Sequence, residues 1–193
     1  MTGTGIQYRM ATLRSPCPEL KGAFLRMAQE WQEQGAGRYR SALQDFDAYL
    51  AQVRRFEDAA TLSPGQVPGT EFWLEVDGEI AGCCRLRFAL NASLEQEGGN
   101  IGYDVRPSAR RQGFGKLMLR LVSSEARRAG LERVLLTADA DNFPSLRIIE
   151  SNGGVYAGET VSLKSGKLVR RYWIELTAGS SPAGPSQPAR SNS

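Results

Sequence analysis

Gly102-Tyr-Asp-Val-Arg-Pro-Ser-Ala-Arg-Arg-Gln-Gly-Phe-Gly-Lys116 reads as the end of a strand, a basic glycine-rich turn and the opening of a helix. Ile101, Tyr103 and Val105 alternate with Gly102, Asp104 and Arg106, which is the period of a strand. Pro107 has no amide hydrogen to give to a ladder and ends it. Beyond Gly115, the residues Leu117, Met118, Leu121, Val122 and Ala126 recur at the spacing of a helix buried along one side, and Gly130 stops it. This order sets a helix N-terminus beside Gly113 and Gly115, where Arg110, Arg111 and Lys116 add positive charge. Oriented amide donors and the positive end of the helix dipole bind anions, so the natural guest is a phosphate or pyrophosphate.

Spacing excludes two common phosphate loops. A P-loop needs a Gly where Arg110 stands and a hydroxyl residue where Leu117 stands. A dinucleotide fingerprint needs a Gly in place of Met118. What remains is Arg110-x-x-Gly113-x-Gly115 behind a strand that ends in Val-x-Pro. This closely resembles the pyrophosphate loop of the GNAT superfamily of N-acetyltransferases.

A second stretch agrees. Arg133-Val-Leu-Leu-Thr137 is a short apolar run, as expected of a strand buried on both faces. It leads into Asp141-Asn-Phe-Pro-Ser-Leu-Arg-Ile-Ile-Glu-Ser-Asn-Gly-Gly154. There Pro144 suits a first helical turn, Leu146, Ile148 and Ile149 form an apolar side, and Gly153 and Gly154 end the helix. Asn142 with Ser145 resembles the second GNAT motif, whose Asn bonds the pantetheine arm of the cofactor. Asn also favours a helix N-cap for its own sake, and both roles can hold.

The resemblance implies an α/β (α+β) fold: a central mixed, mostly antiparallel twisted sheet flanked by helices, with splayed strands forming a V-shaped acyl-CoA cleft. It implies acetyl-CoA, or another acyl-CoA, held by Tyr103, Val105, Arg110, Arg111, Gln112, Gly113, Phe114, Gly115, Lys116, Asn142 and Ser145. The pantetheine would lie in the gap beside the strand ending at Val105, where a backbone amide can polarise the thioester carbonyl. The implied activity is an acyltransferase: direct attack of a primary amine on the thioester in a ternary complex, with no protein nucleophile.

Many members of the superfamily place a Tyr near the cofactor sulfur as general acid, at the position of Ile149. Tyr103, Tyr156 and Tyr172 are the candidates to replace it. The amine poses the larger problem, because an alkyl ammonium of pKa about 10.4 must lose a proton before it attacks. The chain has no His, so the base must be sought among carboxylates. Glu75, Glu97, Asp104 and Glu159 are considered, with Glu97 and Glu75 preferred. Because Asp104 alternates with Tyr103 and Val105, only one of the two sets is expected to face the cleft.

Two other classes stay open. One is a non-catalytic acyl-CoA-binding or regulatory module, suggested by Ile149 and by the lack of an obvious base. The other is a nucleic-acid-binding protein using the basic segment from Arg106 to Arg133, where eight Lys or Arg face only Glu125 and Glu132. The net charge of +3 is modest and argues against nucleic acid as the main partner.

The 193 residues suit one domain, expected over 1–177, followed by a Ser, Pro, Gly and Ala tail over 178–193 expected to be disordered. Cys17, Cys83 and Cys84 show neither metal spacing nor a disulfide framework, so no metal is expected and the thiols should be reduced, as in the cytoplasm. No apolar run is long enough to span a membrane. The expected partner is an amine-bearing small molecule, peptide or protein, and a homodimer is left open. Elsewhere the pattern predicts a strand over Ile6 to Leu13 and a helix over Pro18 to Gln34. A second helix from Ser41 to about Ala60 and strands over Glu71 to Val76 and Glu79 to Leu90 follow. A last hairpin joins Val155–Leu163 to Leu168–Leu176. The first two helices and the 62–70 loop are expected to shape the acceptor side.

Overall fold

The computed structural model describes residues 10–176; the start of the first expected strand and the tail from Ala178 lie outside them. Thirteen regular elements follow: β1 (Ala11–Arg14), α1 (Lys21–Glu33), α2 (Arg40–Gln44), α3 (Phe46–Arg55), β2 (Gly69–Val76), β3 (Glu79–Arg87), α4 (Ala92–Gln96), β4 (Ile101–Val105), α5 (Phe114–Arg128), β5 (Arg133–Asp139), α6 (Phe143–Glu150), β6 (Val155–Val161) and β7 (Leu168–Glu175).

They form two antiparallel sheets, β1-β2-β3-β4 and β5-β7-β6. Alternation along the strands divides the interior in two. Trp73, Ile80 and Cys83 face α1, α2 and α3, where they meet Phe24, Met27, Phe46 and Leu50. Leu74, Cys84, Leu86 and Ile101 face the other way, onto Met118, Leu119 and Val122 of α5 and Leu136 of β5. The adjacent thiols Cys83 and Cys84 therefore belong to opposite cores, and burial pushes both well above the usual thiol pKa. Leu119, missing from the apolar set expected of this helix, is fully buried because α5 is covered from two sides.

The helix expected from Ser41 to Ala60 is broken at Asp45. Its carboxylate accepts from the amides of Asp47 and Ala48, capping α3 and ending α2 one residue earlier. The short α4 between β3 and β4 was not expected; Asn91 caps it by accepting from the Leu94 amide. Pro18 opens a 3-10 turn that leads into α1.

β4 and β5 are the facing edges of the two sheets, and the fold's main feature lies between them. Asn100, just before β4, gives its amide to the Leu135 carbonyl at 2.7 Å, and its side-chain oxygen accepts the Leu135 amide at 2.8 Å. Its side-chain nitrogen reaches the Arg87 carbonyl at 3.1 Å. Gly99 permits this approach: a methyl group there would stand 2.2 Å from the Leu135 oxygen, and its φ of +60° disfavours any other residue. Beyond this tie no ladder joins β4 to β5 among the described residues, and the strands part.

Candidate active site

The parting strands open into a cleft of about 740 Å³, lined at one end by Arg110, Arg111, Gly113 and Lys116 and along its wall by Tyr103, Asp104 and Val105. The opposite wall is Asn142, Pro144, Ser145 and Ile148 of α6, with Trp31 of α1 and Arg38 at the rim. Of the eleven residues expected at the cofactor, ten line this cleft. Gln112 does not; its side chain turns back to the Ser108 carbonyl at 3.0 Å.

The basic turn is built for an anion. Arg111 and Gly113 are both left-handed, with φ of 62° and 84°, and Gly113 gives α5 an N-terminus with no side-chain cap. Arg111 and Lys116 are exposed and meet no carboxylate among the described residues. Arg110 lies 4.9 Å over the Trp31 ring and reaches Gln34. Arg106 is spent elsewhere: it bonds Glu30 at 2.7 Å and Glu79 at 2.8 Å, clamping α1 against β3 and the turn after β4. The basic segment thus sends three of its eight cations to the cleft, while Arg128 pairs with Glu125 and Arg133 covers Trp173. Gly115 is buried against α6, where a methyl group would come within 2.7 Å of Ile148; its smallness brings α5 and α6 together.

Asn142 caps α6, accepting from the Ser145 amide at 3.3 Å, and its side-chain NH₂ has no acceptor among the described residues. Capping and an outward donor are therefore compatible. Ile149 is buried in the core below. Of the three tyrosines weighed in its place, only Tyr103 reaches the cleft; its hydroxyl lies 3.4 Å from the Ser145 carbonyl, and burial pushes its pKa up to about 12. Tyr172 bonds Glu150 and Tyr156 meets the Tyr172 ring edge-on, and neither lines the cleft.

The carboxylates sort differently from the expectation. Glu75 pairs with Arg14 at 2.6 Å on the far side of the sheet, and Glu159 faces Arg170 on the last hairpin. Glu97 lines a side cavity of about 310 Å³ at the narrow end and accepts from Ser162 at 2.7 Å. Asp104 stands in the cleft wall itself. The expectation that Asp104 and Tyr103 could not both face the cleft fails because β4 is an open edge, and a gap beside an edge touches both faces of a strand.

Asp104 is buried, and its oxygens accept from Tyr39 at 2.9 and 2.7 Å and from Arg38 at 2.6 Å. Burial raises its pKa above the ordinary aspartate value, while Arg38 and the Tyr39 hydroxyl work against that rise. A second cavity, of about 250 Å³, adjoins it on the α1–α3 face, lined by Arg38, Tyr39, Tyr49, Glu71, Arg85, Arg87 and Gly102. Glu71 there accepts from Tyr49, Trp73 and Arg85 at 3.0 to 3.1 Å. The residues around 62–66 line a separate small hollow and take no part. Tyr39 and Tyr49 read as core from sequence; the partner carboxylates that give them polar work come from β2 and β4 and carry no local signal.

Paired antiparallel sheets parted at one edge, with a basic helix terminus at the mouth, make a cleft whose shape and charge suit an extended phosphate-bearing ligand. The chain matches the model of the acetyltransferase (GNAT) family over residues 30–153, and it belongs to that family. None of the curated proteins matches it significantly in sequence. Among solved structures it is similar to YncA, a putative acetyltransferase from Salmonella typhimurium with its cofactor acetyl-CoA. That match has 16% identity over 89% of this chain and 97% of that one, with a TM-score of 0.60. It is also similar to Mycobacterium smegmatis RimJ in complex with CoA-disulfide, at 18% identity over 87% and 83%, with a TM-score of 0.67. At these identities the likeness is one of fold.

Proposed function

We propose that this protein is an N-acetyltransferase that takes the acetyl group from acetyl-CoA and passes it to a primary amine. One observation carries the reading: a single cleft runs from the uncapped terminus of α5 along the open edge of β4 to a buried carboxylate. The solved relatives support the donor, since YncA is held with acetyl-CoA and RimJ with CoA-disulfide.

The cleft fits the donor on its own evidence. The α5 terminus with Arg110, Arg111 and Lys116 suits the pyrophosphate, the Asn142 amide suits the pantetheine, and the unpaired edge of β4 suits an extended arm. When bound, acetyl-CoA supplies an activated thioester and a good leaving group. Asp104 takes the proton from the acceptor ammonium and leaves the nitrogen lone pair free to attack the acyl carbon. Tyr39 and Arg38 hold its carboxylate in place and favour its ionised form against the pull of burial. Tyr103 keeps its proton at neutral pH, so it has one to give to a departing thiolate.

Calorimetric titration with acetyl-CoA, repeated with desulfo-coenzyme A, tests the reading. Micromolar binding of both, followed by thiol release with an amine panel, is expected. Absence of binding at millimolar ligand would reduce the turn to a basic helix cap. Tight binding without turnover on any amine would leave a binding module.

A further inference from the structure

The 250 Å³ cavity carries a charge that no carboxylate among the described residues answers. Of the guanidinium groups lining the 250 Å³ cavity, Arg38 is matched by Asp104 at 2.6 Å and Arg85 by Glu71 at 3.0 Å. Arg87 meets no carboxylate among the described residues. Its Nη1 donates to the carbonyls of Gly99 at 3.1 Å and Gly98 at 3.4 Å, and its Nε and Nη2 have no acceptor there. Burial, and then the charge of Arg85, lower its pKa. The carboxylates of the neighbouring side cavity are engaged too, Glu97 by Ser162 and Asp139 by Lys167. A half-buried cation left in this state is stabilised by an anion that enters the cavity.

The placement of Arg87 says how large that anion's carrier is. Its Nη1 lies 4.0 Å from the point where a β-carbon on Gly102 would stand, and no other group outside the flanking residues comes so near. Gly102 and Asp104 are two residues apart on β4, so they share a face with Cα atoms about 6.6 Å apart. With no side chain on Gly102, the floor between the carboxylate and the guanidinium is open. That span suits one small molecule with an ammonium at one end and an anion at the other.

Building on the transferase reading, we infer that the acceptor is a small amine that also bears a carboxylate, of amino-acid size. Its nitrogen sits at Asp104, and its carboxylate is held by the Arg87 fork across Gly102. A guanidinium with one free edge, formed by Nε and Nη2, is suited to a carboxylate in a way that an ammonium is not. Amines that are cationic throughout would set a second positive charge against Arg87 and are selected against.

The test measures kcat/KM by thiol release, with acetyl-CoA saturating, for free L-amino acids paired with their decarboxylated amines. The carboxylated member of the best pair should be preferred by about 10–100-fold, the range of a charge-assisted hydrogen bond. Arg87→Gln should collapse that ratio toward one, Arg87→Lys should restore part of it, and acetyl-CoA affinity should hold in both. Gly102→Val, which puts a side chain on the floor without needing an unusual backbone, should raise KM for the amino acid. Equal or better use of the decarboxylated amines by the wild type would overturn the inference, as would an Arg87→Gln loss shared by both members. Turnover of amines without that preference would leave the transferase reading standing, whereas failure to bind acetyl-CoA would remove both.

Discussion

On the α5 side of β4 the cations stand in water. Arg110, Arg111 and Lys116 are exposed, and none of them meets a protein carboxylate among the described residues. On the α1–α3 side the charges are sunk: Glu71 and Asp104 are buried, Glu71 among the donors of Tyr49, Trp73 and Arg85 and Asp104 among those of Arg38 and Tyr39. Exposed cations cost little to keep and act at a distance, which suits capture of a polyanion. A buried carboxylate costs more and needs every oxygen satisfied, which suits a group whose ionisation is tuned. On the proposed reading, the exposed cations bind the donor and the buried Asp104 takes the proton, so mutations on the two sides of the strand should fail in different ways.

The sharpest break is Asp104→Asn. It keeps the shape of the side chain while removing the proton acceptor, so kcat should fall by about 10²–10⁴ with acetyl-CoA affinity within about threefold. An equal loss of cofactor affinity would erase the distinction between the sides. Next in size is the pair Arg111→Glu with Lys116→Glu. Cofactor affinity should drop by about 10²–10³, the wild-type affinity should fall with added salt, and thermal melting should barely move.

Asn100→Ala tests the tie that holds both sides in register. It strips a partner from the Leu135 amide and the Arg87 carbonyl, at a cost of about 2–5 kcal/mol in denaturant unfolding. Smallest is Tyr39→Phe. The hydroxyl favours the ionised form of Asp104, so its loss raises that pKa and moves the acidic limb of the kcat profile to higher pH. An unmoved limb would mean that another group sets it.

The cofactor side was legible because its signals are local. A turn needing Gly113, a strand stopped by Pro107 and a helix with an apolar stripe lie within one short segment. The acceptor side was not, because its groups come from far apart: Arg38 and Tyr39 before α2, Glu71 on β2, Arg87 on β3, Asp104 on β4. Each is unremarked beside its sequence neighbours. Glu75 was preferred and Glu71 was not among the carboxylates considered, yet only their places along β2 separate the one that pairs with Arg14 from the one that lies under Tyr49. Asn100 carries no signal among its sequence neighbours, and its value depends on a strand 35 residues later.

That tie gives the fold the mechanics of a pair of dividers. β4 extends five residues beyond Asn100, about 17 Å, so one degree of rotation at the pivot displaces the far tip by about 0.3 Å. On the proposed reading, the width offered to an acyl chain is then set by the grip at Gly99 and Asn100, away from Asp104 and Tyr103. Breadth of acyl preference can be retuned at the pivot while the jaws keep every one of their residues.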